Sequence, residues 1–239
     1  MGRNVLIVGA SGDIGIAVAE RLASEGYQLV LHYNKNKEKI DDFRGKFDKE
    51  CVQLVLQADL SIESETKRFL SELAFPIDYI VFASGTAHFG LFQDTSEKVM
   101  NNMLSLHVKA PWLITKHLIP AMIQKQFGKI IFITSIWGAI GASYEVVYSS
   151  VKGAQNSFVK ALAKEVAPSG VSVNAISPGY IETKMNNHLL KDEKEALLAD
   201  IPMNRAGLPA EIAHTVNFLL ENQSSYIQGE ILNINGAWS

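Results

Sequence analysis

A chain of 239 residues, 47% hydrophobic and with a formal charge of −3, can bury one large core and lacks the basic balance of a general nucleic-acid binder. Its single cysteine, Cys51, excludes an internal disulfide and speaks against a cysteine-based metal site, so no metal is expected. No apolar run reaches the eighteen or so residues that span a bilayer, and the opening VLIVGA leads into glycines rather than a cleavage site, so a reducing cytoplasm is the expected location.

Val5–Val8 reads as a strand that feeds Gly9, Ala10, Ser11, Gly12, Asp13, Ile14 and Gly15, followed by a helix over Ile14–Ser24 closed by Gly26. Glycines between a strand and a helix let the backbone approach a pyrophosphate, which the free N–H groups and positive end of the helix stabilise. The second strand, Gln28–Tyr33, runs into Asn34, Lys35 and Lys37. An NAD site usually places an acid there for the ribose 2′-hydroxyl. None is present, and these residues tolerate or attract a 2′-phosphate, which favours NADP(H); the bland alternative is a solvated lysine loop.

A helix around Asn36–Phe47, a strand Val52–Gln57, a helix Ser61–Leu73 and a strand Asp78–Phe82 come next. The helical stretch Thr95–Gln126 is expected to be broken up by Pro111 and Pro120, each of which removes a helix hydrogen bond. Ile130–Thr134 is a buried strand, Ser135 opens a loop, and a helix running to Ala167 carries Tyr148 and Lys152. Residues four apart are neighbours on a helix, and a nearby ammonium lowers the pKa of a phenol from its usual value of about 10, which would make Tyr148 a usable acid. Tyr33/Lys37 and Tyr180/Lys184 share that spacing. What distinguishes Tyr148 is a helix entered from a strand whose end presents a hydroxyl.

Val171–Ile176 forms a sixth strand, Pro178-Gly179 a turn, residues 186–200 a polar helix, Pro209–Leu220 a helix with an apolar core face, and Ile231–Ile234 a last strand. Strands alternating with helices predict one α/β domain over residues 1–239, a Rossmann-type doubly wound parallel sheet with helices on both faces.

The start GASGDIG, Ser135 with Tyr148 thirteen residues on, Lys152, and the Pro178-Gly179 turn together resemble the short-chain dehydrogenase/reductase family, over nearly the whole chain. That resemblance implies that Tyr148 donates a proton, Ser135 orients a carbonyl, and Lys152 binds the nicotinamide ribose and lowers the tyrosine pKa. It carries cofactor contacts onto Gly9, Ser11, Gly12, Asp13, Ile14, Gly15, Tyr33, Asn34, Lys35, Asp59, Leu60, Gly85, Pro178, Gly179, Ile181 and Thr183, with Asp59 beside the adenine. Trp137, Glu145 and Tyr180 would border the substrate, under a flap at about residues 180–205. A homotetramer built through the helices holding Trp112 and Phe158 is also implied.

Three departures stand out. Asp13 occupies the place of the family's middle glycine, Phe82-Ala83-Ser84-Gly85 replaces Asn-Asn-Ala-Gly, and His107 stands where relatives carry a catalytic asparagine. A histidine could serve the proton relay through a ring nitrogen, titrating between about pH 6 and 7, or could be a packed structural residue.

Two ketone substrates carried on proteins are in view. The 3-oxoacyl-acyl-carrier-protein reductases dock their acidic carrier with two arginines, at positions where this chain has Gln126 and Ser169; Lys125, Lys129 and Lys164 are partial substitutes. The wording SIWG and GASYEVVY also resembles reductases of the 5-aminopentanone group on a lysine of elongation factor P, where Glu145 would pair with a substrate amine. Glu145 could equally be an exposed acid favouring a helix dipole. A third possibility is a non-catalytic NADP-binding sensor.

Overall fold

The apolar runs of the sequence line up side by side in the computed structural model, which describes residues 4–184 and 191–238. The strands are β1 (Asn4–Val8), β2 (Gln28–Tyr33), β3 (Val52–Gln57), β4 (Tyr79–Phe82), β5 (Gly128–Ile133), β6 (Val171–Pro178) and β7 (Ile231–Ile234), in the order β3-β2-β1-β4-β5-β6-β7. Every neighbouring pair is parallel, so each connection must cross a face of the sheet. The helices that do so are α1 (Asp13–Ser24), α2 (Lys37–Lys46), α3 (Glu63–Glu72), α4 (Glu97–Leu104), α5 (Ala110–Lys125), the short α6 (Trp137–Ile140), α7 (Val146–Val166), α8 (Lys191–Asp200) and α9 (Pro209–Leu220).

Alternate strand residues point to opposite faces, and the two cores follow that parity. Leu6, Val8, Ile80, Phe82, Ile130 and Phe132 pack against Phe69 of α3, Ile114 and Met122 of α5 and Val159 of α7. Their neighbours Val5, Ile7, Val81, Ile131 and Ile133 pack against Val18 and Leu22 of α1, Phe43 of α2, and Ile212 and Val216 of α9. With both faces covered, the strands read as continuous apolar runs rather than alternating ones.

The strand order reverses between β1 and β4, so the loops leaving their carboxyl ends diverge and open a crevice. Gly9 turns the chain there with φ +88°, and a Cβ on it would come within 2.5 Å of the Ser84 backbone. The Gly9 amide donates to Nδ1 of His32 at 3.1 Å. Because that nitrogen must accept, Nε2 carries the proton and donates to the Ala58 carbonyl at 3.0 Å. His32 is thus a neutral strut between the glycine loop and the end of β3, and burial pushes its pKa down to about 4.

The stretch expected to break at two prolines behaves differently. Pro120 lies inside α5 without ending it, and the Lys116 carbonyl that loses its donor is on the exposed side. The interruption is a π-helical turn, Ser105–Lys109, between α4 and α5. Pro111 has no N–H to give the His107 carbonyl, and Gln155 of α7 supplies the missing donor through Nε2 at 2.7 Å.

Replacing Gly9 with alanine is expected to combine left-handed strain with the clash at Ser84, costing about 2 kcal/mol or more. Thermal unfolding should show a midpoint lowered by roughly 4–8 °C for a chain of this size, with dinucleotide binding lost in titration.

Candidate active site

Tyr148 and Lys152 lie on the first turns of α7, and Ser135 follows β5. Gly138 of α6 lets these elements close up, since a Cβ there would stand 2.7 Å from the Lys152 carbonyl carbon. Ser135 is nearly buried; its Oγ accepts from the Trp137 amide at 3.2 Å and its hydroxyl hydrogen-bonds the Tyr148 phenol. Lys152 is buried, donates from Nζ to the Ile133 carbonyl at 2.9 Å, and holds Nζ 5.6 Å from the centre of the Tyr148 ring. The three predicted catalytic side chains are therefore assembled at the carboxyl end of β5.

Their ionisation corrects the sequence expectation. Burial, with the Glu145 carboxylate adding to it, pushes the Tyr148 phenol up to about 12 against the opposing bond from Ser135. Burial also pushes Lys152 down to about 7, which weakens the positive charge it can offer its neighbour near neutral pH. Tyr148 is thus held protonated, the form a proton donor needs, and Lys152 is poised to exchange a proton near neutrality.

Burial governs the histidine as well. His107 is fully buried in the π-helical turn, behind Gly85 and edge-on to the Tyr148 ring at 5.9 Å. Its Nε2 lies 3.0 Å from the Thr86 carbonyl and 3.3 Å from the Thr86 amide, while Nδ1 has no partner among the described residues. Burial, reinforced by the Lys152 charge, pushes its pKa down to about 3. His107 is therefore a neutral group between pH 6 and 7, packed edge-on against Tyr148.

One cavity of about 460 Å³ joins these residues to the crevice. It takes Ser11, Gly12, Asp13 and Ile14 from the glycine loop, Gly85 after β4, and Trp137, Glu145, Tyr148 and Lys152 from the catalytic segment. Pro178, Gly179, Tyr180, Ile181 and Thr183 complete it from the end of β6. Gly9 and Gly15 act beneath the surface: a Cβ on Gly15 would meet the Gly9 carbonyl oxygen at 2.2 Å.

Tyr33, Asn34, Lys35, Asp59 and Leu60 stand outside this cavity, at the ends of β2 and β3. There the Asn34 side chain and Ser61 hydrogen-bond Asp59, and together with the Lys35 charge they hold its carboxyl below the usual range against the effect of burial. Lys37 turns to Asp41 at 2.6 Å. The amino end of α1 presents Gly12 with no side-chain cap, leaving backbone donors for an anion, and no acid follows β2, so the groove fits a dinucleotide.

Sequence reasoning missed several lining groups. Lys39 reaches in from α2, Phe89 from the loop after β4, Leu197 from α8 and Trp238 from the carboxyl end. Phe89 stacks on Tyr144 at 5.1 Å and Trp238 meets Trp137 edge-on at 5.0 Å. No local pattern marks such residues, because they come from helices and loops far apart in the chain that only the fold brings together.

Similarity to known proteins agrees with this geometry. The family model described as enoyl-(acyl carrier protein) reductase matches residues 9–239. The uncharacterized oxidoreductase YmfI of Bacillus subtilis (strain 168) is 45% identical over 240 residues, covering 100% of this chain and 99% of the relative. The 3-oxoacyl-(acyl-carrier-protein) reductase FabG of Escherichia coli (strain K12) is 32% identical, over 98% of this chain and 96% of its own. Among solved structures, a short-chain dehydrogenase/reductase from Brucella melitensis superposes with a TM-score of 0.89 at 29% identity, over 99% of this chain and 96% of its own. YwfH, an NADPH-dependent reductase of bacilysin biosynthesis, gives 0.91 at 23% identity over 100% of this chain and 99% of its own, a likeness of fold.

The buried imidazole should make stability depend on pH. An unfolded histidine takes a proton near pH 6.5, whereas His107 takes one only near 3. Between those values the unfolded state binds more protons, so stability falls with falling pH by about 1.4 kcal/mol per unit for this group. Urea unfolding from pH 7 to 4 should show that loss, and His107→Gln should make the dependence shallower.

Proposed function

The chain belongs to the short-chain dehydrogenase/reductase family and is an oxidoreductase acting between CH–OH and C=O with a nicotinamide cofactor; from that premise we propose that it uses NADP(H) to reduce a ketone to a secondary alcohol. The observation that carries this is the Ser135–Tyr148 contact above a buried Lys152, in one cavity with the glycine loop. A nicotinamide held in this cavity would supply hydride. Ser135 holds the carbonyl oxygen, Tyr148 gives that oxygen its proton, and Lys152, anchored on the Ile133 carbonyl, stands ready to reprotonate the phenol. The glycine loop would hold the pyrophosphate, and Asn34 and Lys35 would receive the adenosine end. The acid-free end of β2 is what favours the 2′-phosphate, and Tyr180 and Leu197, which line the cavity, belong to the segment of about residues 180–205 that would cover the substrate, of which residues 185–190 lie outside the described residues.

The curated relatives named for acyl-carrier substrates support a 3-oxoacyl thioester as one substrate class. Three features weigh against it. Gln126 and Ser169 carry no charge, Lys129 is spent inside on the carbonyls of Leu219 and Glu221, and Lys125 is paired with Asp78 at 3.2 Å. The pocket chemistry favours instead an amine-bearing ketone, such as the 5-aminopentanone group on elongation factor P. A carboxylate, Glu145, lines the cavity with the rings of Phe89, Trp137 and Trp238, and carboxylates and aromatic faces both attract a cation. For assembly, Trp112 is 47% exposed beside Phe158 on α5 and α7, which supports a homotetramer built on those helices.

Tyr148→Phe should lower ketone-dependent NADPH oxidation by about 10²-fold or more while leaving NADPH binding within about twofold. A protein that binds NADPH yet consumes none with any ketone would be a sensor instead. On an acyl thioester and on ketone-bearing elongation factor P compared side by side, Glu145→Gln should raise the Michaelis constant for the amine-bearing ketone several-fold and leave that for the thioester unchanged; an equal response would remove the electrostatic argument.

A further inference from the structure

Asp13 does more than replace a glycine. Its Oδ1 accepts from the Lys39 ammonium of α2 at 2.5 Å, and its Oδ2 accepts from the backbone N–H of Lys184 at 2.6 Å. The two contacts reach 26 residues along the chain in one case and 171 in the other. The glycine loop, the helix after β2 and the segment after β6 are therefore pinned at one carboxylate, and Asp13, Lys39 and Lys184 all line the cavity. Both charged side chains are mostly shielded, at 23% and 22% exposed, so their attraction is only partly screened by water. The bonds from Lys39 and Lys184 keep the carboxyl below its usual pKa despite burial, so it is ionised at neutral pH.

This carboxylate sits on the first residue of α1, where free amides and the helix dipole favour a negative charge. The carboxylate at the head of α1 is an anion beside that end, already supplied with a cation by Lys39 and with an amide by Lys184. We propose that Asp13 is an internal competitor for the cofactor's pyrophosphate: the phosphates take over its place at the head of α1 and its Lys39 partner, and the carboxylate weakens dinucleotide binding by the repulsion that remains. Asp13 is a positioning and affinity-setting residue, and no bond to carbon, hydrogen or phosphorus changes in the exchange. A chain so equipped binds its dinucleotide less tightly than the same groove with glycine, and releases it faster. The inference rests on the dinucleotide reading of the groove.

Titrating the purified full-length protein with NADP⁺ and with NAD⁺, followed by calorimetry and by tryptophan fluorescence, separates the two ideas. Asp13→Asn, which keeps the shape and removes the charge, and Asp13→Gly, which restores the family's residue, should each bind NADP⁺ about tenfold more tightly than wild type, a change of about 1.4 kcal/mol. Because the effect is a charge repulsion, the gap between wild type and Asp13→Asn should narrow as sodium chloride rises from about 0.05 to 0.5 M. Unchanged or weaker binding in both variants, or a gap indifferent to salt, would overturn the proposal and leave the cofactor assignment standing. A wild-type protein that binds neither dinucleotide would overturn the cofactor assignment, and this proposal with it.

Discussion

The bond from the Lys152 ammonium to the Ile133 carbonyl is the contact on which the site's geometry depends. It joins the first turns of α7 to the end of β5 and fixes the lysine beneath the phenol one turn earlier. The bond is possible because Gly138 lets α6 lie against the Lys152 backbone, and because β5 is buried along its whole length at the middle of the carboxyl-terminal half of the sheet. Burial supplies the rigidity and also sets the chemistry. It removes water from both side chains, so the phenol stays neutral and the lysine gives up its proton far more readily than a solvated amine would.

Much of the fold was legible because local and long-range requirements agreed. The bounds of β2, β3, α9 and β7 match the sequence reading to the residue: each is an apolar segment closed by polar or turn-forming neighbours, and nothing in the packing opposes it. Ser135, Tyr148, Lys152 and the glycine loop were legible for a similar reason, since their relation depends on strand and helix geometry within short stretches. Where legibility failed, a distant partner decided the outcome. Lys129 reads as a surface cation, yet its ammonium closes the carbonyl end of α9. Phe89, Trp238 and Lys39 enter the cavity from elements far apart in the chain, and His32 looks like a polar slip in an apolar strand until the glycine loop is seen resting on it.

The pKa inversion shows how a qualitative charge argument can reverse. A neighbouring ammonium does lower a phenol's pKa, but only to the extent that it is charged, and desolvation works against both partners at once. Near a fully buried lysine the phenol meets a carboxylate and an apolar wall more than a cation. Family resemblance names candidate side chains; their ionic states follow from the surroundings that this chain provides.

The single π-helical turn before α5 has a structural consequence of its own. A π turn accommodates one residue more than an α-helical register would use, so excising a residue from Ser105–Lys109 would let the amides and carbonyls re-form the ordinary ladder. It would also swing everything upstream by about 100° around the axis. The extra residue is thus an indexing device: it spends backbone regularity to aim one imidazole at the back of the Tyr148 ring, and a shorter, more regular helix would leave that aromatic wall facing elsewhere.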